Sequence, residues 1–296
     1  MTTRLDPRSA SSLRNWDSSP LTTGMLLATI LCTSGLFSQT LITDSLFAPA
    51  LGRVRRVNVL LPKGFDTTRS YPALILLHGF GGDHSSWTAG ARLSEHLGST
   101  QIVLLMPDGE NSWYVNSVTH PANRFEDYIA DDIVRFGARR YRIDTARLAI
   151  GGLSMGGYGA LEIGLRHSGR FHFIAGLSAS LDVPMGIPEL ERNHREQLRP
   201  SLVEAFGADS SGFWKDHDLF HLIHRLQRGS APFLYLANGI QDEFPRRLHY
   251  YRSFADSLRT FNLPYEYHEA PGRHNWDYWD QEIRAVLDRL RELFGL

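Results

Sequence analysis

The chain has 296 residues, 42% of them apolar and 21% charged, with a formal net charge of −1. That length accommodates one large domain with a well-buried core, and the near-neutral balance, without a basic surplus or stripe, argues against nucleic acid as a partner. The single cysteine, Cys32, excludes an internal disulfide and any C-x-x-C redox or zinc pattern.

Gly24 to Phe37 reads GMLLATILCTSGLF, behind Arg4, Arg8 and Arg14 and ahead of Ser38-Gln39-Thr40. The run suits the apolar region of a signal peptide and is too short for a comfortable membrane span. Residues 1–40 are therefore read as a signal peptide or disordered leader, and residues 41–296 as the folded domain. On this reading the protein is exported, periplasmic or extracellular, with no stable membrane span in its mature form. The lead-in carries Asp6 and Asp17 and no clean small-x-small cleavage site follows, so a cytoplasmic protein with a frayed N-terminal tail is the alternative.

From Arg53 onward, short apolar runs alternate with amphipathic stretches. Val54–Leu61, Ala73–Leu77, Ile102–Met106, Leu148–Gly152, Phe173–Leu177 and Phe233–Ala237 are predicted strands. Continuous apolar runs of this kind fit strands buried on both faces, as in a parallel sheet. A further strand-like run holds Tyr265, Tyr267 and His268. Glu126–Tyr141, Gly157–His167, Arg246–Phe261 and Asp280–Phe294 carry apolar residues at helical spacing. The alternation predicts one α/β domain, a mostly parallel central sheet with helices on both faces. Leu181 to Gln227, rich in proline and glycine, breaks the rhythm and is expected to be a small helical insertion. It would form a lid or pocket wall, or equally a set of ordinary packing helices.

The strongest motif is Gly152-Leu153-Ser154-Met155-Gly156, a G-x-S-x-G pattern after a predicted strand and before a predicted helix. Alone, such a pattern is often a plain glycine-rich turn. In this context it reads as a sharp elbow that holds a serine hydroxyl exposed, near the positive end of the following helix. A serine hydroxyl is a weak nucleophile and needs a base within hydrogen-bond reach. In the α/β-hydrolase order the acid follows the serine and the histidine comes last. His249 falls in a helical pattern and His268 in a strand. His274 sits in the loop Gly272-Arg273-His274-Asn275-Trp276 after the last strand, where a base could reach Ser154. Asp242, directly after Phe233–Ala237, is the favoured acid, with Glu243 and Asp277 as alternatives. Donors for a developing oxyanion are expected from the backbone N–H of Met155, after the serine, and of Phe80, in the glycine-rich turn after Leu77.

Taken in order, YPALILLHGFGG (Tyr71–Gly82), Trp87, MPDGENSWYVNS (Met106–Ser117), GGLSMGGYGAL (Gly151–Leu161), LANGIQDEF (Leu236–Phe244) and GRHNWDYW (Gly272–Trp279) resemble one esterase family. It includes esterase D, tributyrin esterases, feruloyl and acetylxylan esterases, enterochelin esterases and the mycolyltransferases. The resemblance runs from Val54 to the C-terminus and implies the α/β-hydrolase fold. It also implies a nucleophile at Ser154, acid at Asp242, base at His274 and oxyanion donors at Phe80 and Met155. The expected activity is a serine carboxylic-ester hydrolase acting on small or carbohydrate-linked acyl esters through an acyl-enzyme, with no metal or organic cofactor. An acyltransferase with an alcohol or sugar acceptor is the alternative. A non-catalytic binding protein on the same scaffold is a further one. The mycolyltransferases usually have Asp where this chain has His78, which gives the transferase reading little support.

Trp276 is taken as a substrate-binding residue, while Trp113, Tyr114 and Trp279 either flank the same pocket or fill the core. His217, His221 and His224 share a helical spacing, but without an obvious fourth ligand they read as a helix face rather than a zinc site. Oligomeric state is not legible.

Overall fold

The run Tyr71–Leu77 is buried at every position, which places it between two packed layers rather than at a solvent face. The computed structural model describes residues 38–187, 196–208, 212–226, 231–244 and 246–296. In it this run is strand β3 of an eight-stranded sheet. The others are β1 (Thr40–Ala48), β2 (Arg53–Leu61), β4 (Val103–Pro107), β5 (Ile143–Leu153), β6 (Phe171–Leu177), β7 (Phe233–Gly239) and β8 (Tyr265–Ala270). The sheet order is β1-β2-β4-β3-β5-β6-β7-β8. β2 pairs antiparallel with β1 and β4, and every neighbour from β4 to β8 is parallel.

Among the described residues the α-helices begin with α1 (Ser86–Gly90), α2 (Leu93–Leu97), α3 (Phe125–Asp127), α4 (Val134–Tyr141) and α5 (Met155–Arg166). They continue with α6 (Arg199–Phe206), α7 (Gly212–Asp216), α8 (Leu219–His224), α9 (Arg247–Thr260) and α10 (Trp276–Phe294). The two-residue period of β3 divides its side chains between two cores. Ala73, Ile75 and Leu77 join a core with residues of α4, α5, α8 and α9. Leu74 and Leu76 join another with α1, α2 and α10. Each fully buried Leu or Ile here contributes roughly 1.5–3 kcal/mol over exposure, and the result is the expected α/β-hydrolase sandwich of helices, sheet and helices.

Topology places the site. β3, β5, β7 and β8 are parallel, so their C-terminal ends open on one edge of the sheet. The chain leaves β3 for β4 on one side and later returns to β5 on the other. A crevice therefore forms at that switch point.

The structure departs from the sequence reading in places. β1 is an additional edge strand. The Glu126–Tyr141 helix is interrupted by a π-helical segment, Tyr128–Ile133. α10 starts at Trp276 rather than Asp280, because the Asn275 side chain caps it by accepting from the Tyr278 N–H at 3.3 Å. Of the Leu181–Gln227 insertion, the described residues include both packing and pocket-wall positions: α8 packs its Leu219, Leu222 and Ile223 into the core, whereas Gln197 and Leu198 line the crevice. The leader reading of residues 1–40 falls outside the described residues up to residue 37, and β1 begins at Thr40. No helix among the described residues is long and apolar enough to cross a membrane.

Candidate active site

β5 ends at Leu153 and α5 begins at Met155, so Ser154 alone carries the reversal between them. It does so at φ 53° and ψ −116°, a region that costs a residue with a side chain about 1–3 kcal/mol. The flanking glycines are required by space. A β-carbon on Gly152 would overlap the Gly156 carbonyl, and one on Gly156 would overlap the carbonyls of Leu77 and His78. Strand, elbow and helix can close only with hydrogen at both positions.

Three side chains from three strand ends meet here. Asp242 follows β7, and its carboxylate can only accept. Nδ1 of His274, 2.9 Å from Asp242 Oδ2, therefore carries the imidazole proton. That leaves His274 Nε2 as an acceptor for the Ser154 hydroxyl, 2.9 Å away. Asp242 Oδ1 accepts the Phe244 N–H at 3.0 Å and lies 3.6 Å from the Arg247 Nε. Burial pushes the Asp242 carboxyl upward, but the bond from His274 and the charge of Arg247 outweigh it and leave it below its ordinary value. Burial also depresses His274, helped by the Arg247 cation and opposed by Asp242. Of the alternative acids, Glu243 accepts the His274 backbone N–H at 3.3 Å rather than facing the ring, and Asp277 lies exposed in the first turn of α10.

The loop after β3 lies against the elbow, since a β-carbon on Gly79 would meet Leu153 Cδ1 at 2.8 Å and Ser154 Cβ at 3.5 Å. His78 holds this loop in shape. The Gly109 N–H donates to His78 Nε2 at 2.9 Å, so Nδ1 bears the proton and donates to the Gly79 carbonyl at 2.8 Å. Burial keeps His78 below its ordinary pKa, which preserves this neutral tautomer. Tyr114 donates its hydroxyl to the His78 carbonyl at 3.0 Å, and the Gly81 N–H donates to Asn111 Oδ1 at 2.7 Å. Phe80, the next residue of this loop after Gly79, lines the same cavity as Ser154. The Met155 N–H, directly after Ser154, is first in α5 and without an intrahelical acceptor.

Ser154 and His274 open into a cavity of about 440 Å³, walled by Phe80, Trp113, Leu198, Phe244, Trp276 and Trp279 among others. Trp276 stands edge-on to Trp87, with centroids 5.4 Å apart, and to Trp279 at 5.3 Å. Gly90 makes room for it, because a β-carbon there would overlap the indole. Trp113 also lines the cavity, its Nε1–H donating to Ser201 Oγ of α6 at 3.0 Å. Tyr114, in contrast, is fully buried beneath the loop. His217 is buried and paired through Nδ1 with Glu162 Oε1 at 2.7 Å. No group of three or more His, Cys, Asp or Glu among the described residues could hold a metal ion.

Ser154, His274, Phe80 and Trp276 therefore line one crevice, with Asp242 paired to His274 and the buried Met155 directly after Ser154. Sequence reasoning did not single out Arg247 or Phe244. An arginine opening the helix directly after the Asp242 loop was the available signal.

Residues 48–290 match the model of a family described as "Putative esterase". An acetyl esterase of Caldicellulosiruptor saccharolyticus is 33% identical over 221 residues, covering 73% of this chain and 81% of that one. The diacylglycerol acyltransferase/mycolyltransferase Ag85B of Mycobacterium avium is 22% identical, with 89% and 87% covered. In fold, the chain resembles FphF, a fluorophosphonate-binding serine hydrolase of Staphylococcus aureus. The TM-score is 0.74 at 24% identity, covering 86% of this chain and 98% of that one.

Proposed function

The chain belongs to the esterase family and is a carboxylic ester hydrolase, and on that premise we propose that Ser154, His274 and Asp242 are its nucleophile, base and acid. One observation carries the proposal: the continuous relay from Ser154 Oγ to His274 Nε2 and from His274 Nδ1 to Asp242 Oδ2, each link 2.9 Å.

In this mechanism Ser154 Oγ attacks the ester carbonyl carbon while its proton passes to His274 Nε2. Asp242 stabilises the imidazolium and keeps the ring oriented. The carbonyl oxygen, now an oxyanion, is received by the N–H groups of Phe80 and Met155. Collapse breaks the ester C–O bond, His274 returns the proton to the leaving alkoxide, and the acyl group stays on Ser154. A water molecule, deprotonated by His274, then repeats the sequence and releases the acid. The steps as written call on no metal or organic cofactor.

The substrate class proposed is a small or carbohydrate-linked acyl ester. The size of the cavity and its tryptophan walls, Trp113, Trp276 and Trp279, support it, as does the acetyl esterase likeness. A second reading, transfer of the acyl group to an alcohol or sugar, draws on the likeness to the mycolyltransferase. Initial rates on p-nitrophenyl acetate, butyrate and octanoate and on methyl ferulate, for wild type and Ser154→Ala, test the proposal. Full activity in the mutant would refute it. Product analysis with an added acceptor separates hydrolysis from transfer.

A further inference from the structure

We infer that Arg247 is a positioning residue, holding Asp242 by the carboxylate oxygen that His274 leaves free. This rests on the proposed roles of Ser154, His274 and Asp242. A carboxylate turning about its last torsion is held only loosely by one hydrogen bond, because that torsion is broad and roughly two-fold. His274 engages Oδ2, and Oδ1 is held from the opposite side by the Phe244 N–H at 3.0 Å and by Arg247 Nε at 3.6 Å.

Arg247 is itself immobilised. It opens α9, is 6% exposed, and donates through Nη1 to the Ser178 carbonyl beyond β6. Its guanidinium lies 4.6 Å above the centre of the Phe244 ring. That ring in turn stands edge-on to His274, with centroids 4.6 Å apart. One cation therefore ties the end of β6 to the acid loop after β7 and supports the ring that packs against the base. A planar fork suits such a place better than an ammonium.

The same cation acts on the base. The charged groups acting on His274 are Asp242 and Glu243 from the loop after β7 and Arg247 from α9, and the Ser154 hydroxyl of the elbow faces its Nε2. Phe244 and Trp279 add uncharged walls. Among these, Arg247 alone disfavours the imidazolium by its positive charge, so removing it makes His274 easier to protonate.

The test is the pH profile of kcat/KM, with kcat and KM separately, for wild type, Arg247→Met, Arg247→Lys and Ser154→Ala on p-nitrophenyl acetate. Arg247→Met is expected to lower kcat by about 10- to 100-fold, the scale of a displaced catalytic group, and to move the acid limb to higher pH with KM little changed. Arg247→Lys keeps the charge and loses the fork, so its acid limb stays near wild type while kcat falls. A purely structural role would lower the folded fraction and leave the limb in place. Wild-type kcat and acid limb in both folded variants would overturn the inference, and if Arg247→Met does not fold, a wild-type kcat in Arg247→Lys does so alone. Residual activity in Ser154→Ala equal to wild type would instead sink the roles on which the inference rests.

Discussion

Gly152 and Gly156 touch across Ser154 so closely that neither can carry a β-carbon without meeting backbone. For Gly156 the obstacles are the carbonyls of Leu77 and His78, where the β3 loop begins. Backbone held in a parallel sheet cannot yield as a side-chain tip can. Gly156→Ala is therefore expected to destabilise the fold by about 1–3 kcal/mol, the usual cost of overpacking. It should also reduce kcat/KM well beyond that of a surface glycine such as Gly169, which has open space around it. Urea unfolding beside steady-state kinetics measures both effects.

His78 touches no part of the proposed relay, yet it joins Gly109 to Gly79 through its two ring nitrogens. His78→Ala removes both bonds and lets the Gly79–Gly82 loop relax away from the elbow. Loss of one oxyanion donor outright costs about 10²–10³ in rate. Displacing one in this way is expected to lower kcat at least 10-fold with a smaller effect on KM. Unchanged kcat would show that the loop keeps its shape without the clamp.

The pH dependence follows from His274. The base works only when neutral, so activity is lost as pH falls through its pKa. Burial and the neighbouring Arg247 depress that pKa below the ordinary 6.5. The acid limb of kcat/KM is thus expected at a midpoint below 6.5, and a midpoint above it would contradict the electrostatic account.

Asp280 ties α10 to the α1–α2 corner. Its carboxylate accepts from the Arg92 backbone N–H at 2.7 Å and from Arg92 Nε at 2.9 Å, and pairs with His96 Nε2 at 2.7 Å. Burial pushes its pKa up, but these bonds more than reverse that and bring it down to about 2. A depressed carboxyl stabilises the fold above its unfolded pKa, and that stabilisation disappears as pH falls through the folded one. Asp280→Ala should cost about 1–2 kcal/mol at neutral pH. The gap to wild type should close as pH drops from 3.8 toward 2. Chemical unfolding at several pH values gives the comparison.

Much of this is legible in the sequence, for a physical reason. Strands such as Tyr71–Leu77 are buried on both faces and advertise themselves as continuous apolar runs. Ser154 and Asp242 each follow such a run and His274 follows the alternating strand β8, so the parallel sheet brings all three to one edge. β1 was not legible, because its inward-facing positions include Asp44. That carboxylate is satisfied by the Tyr141 hydroxyl at 2.6 Å, a partner 97 positions away. The wall of the cavity was hidden for the same reason. Trp113 is turned by Ser201, and Arg247 by Ser178, contacts that no local pattern announces.

The most direct test of the central claim is covalent capture. A fluorophosphonate probe reacts with an activated serine, and peptide mass spectrometry locates the adduct. The expected result is one phosphonyl group per chain, on Ser154, with loss of esterase activity in proportion to labelling and no labelling of Ser154→Ala. Labelling elsewhere, or equal labelling of the mutant, would contradict the assignment of Ser154 as nucleophile.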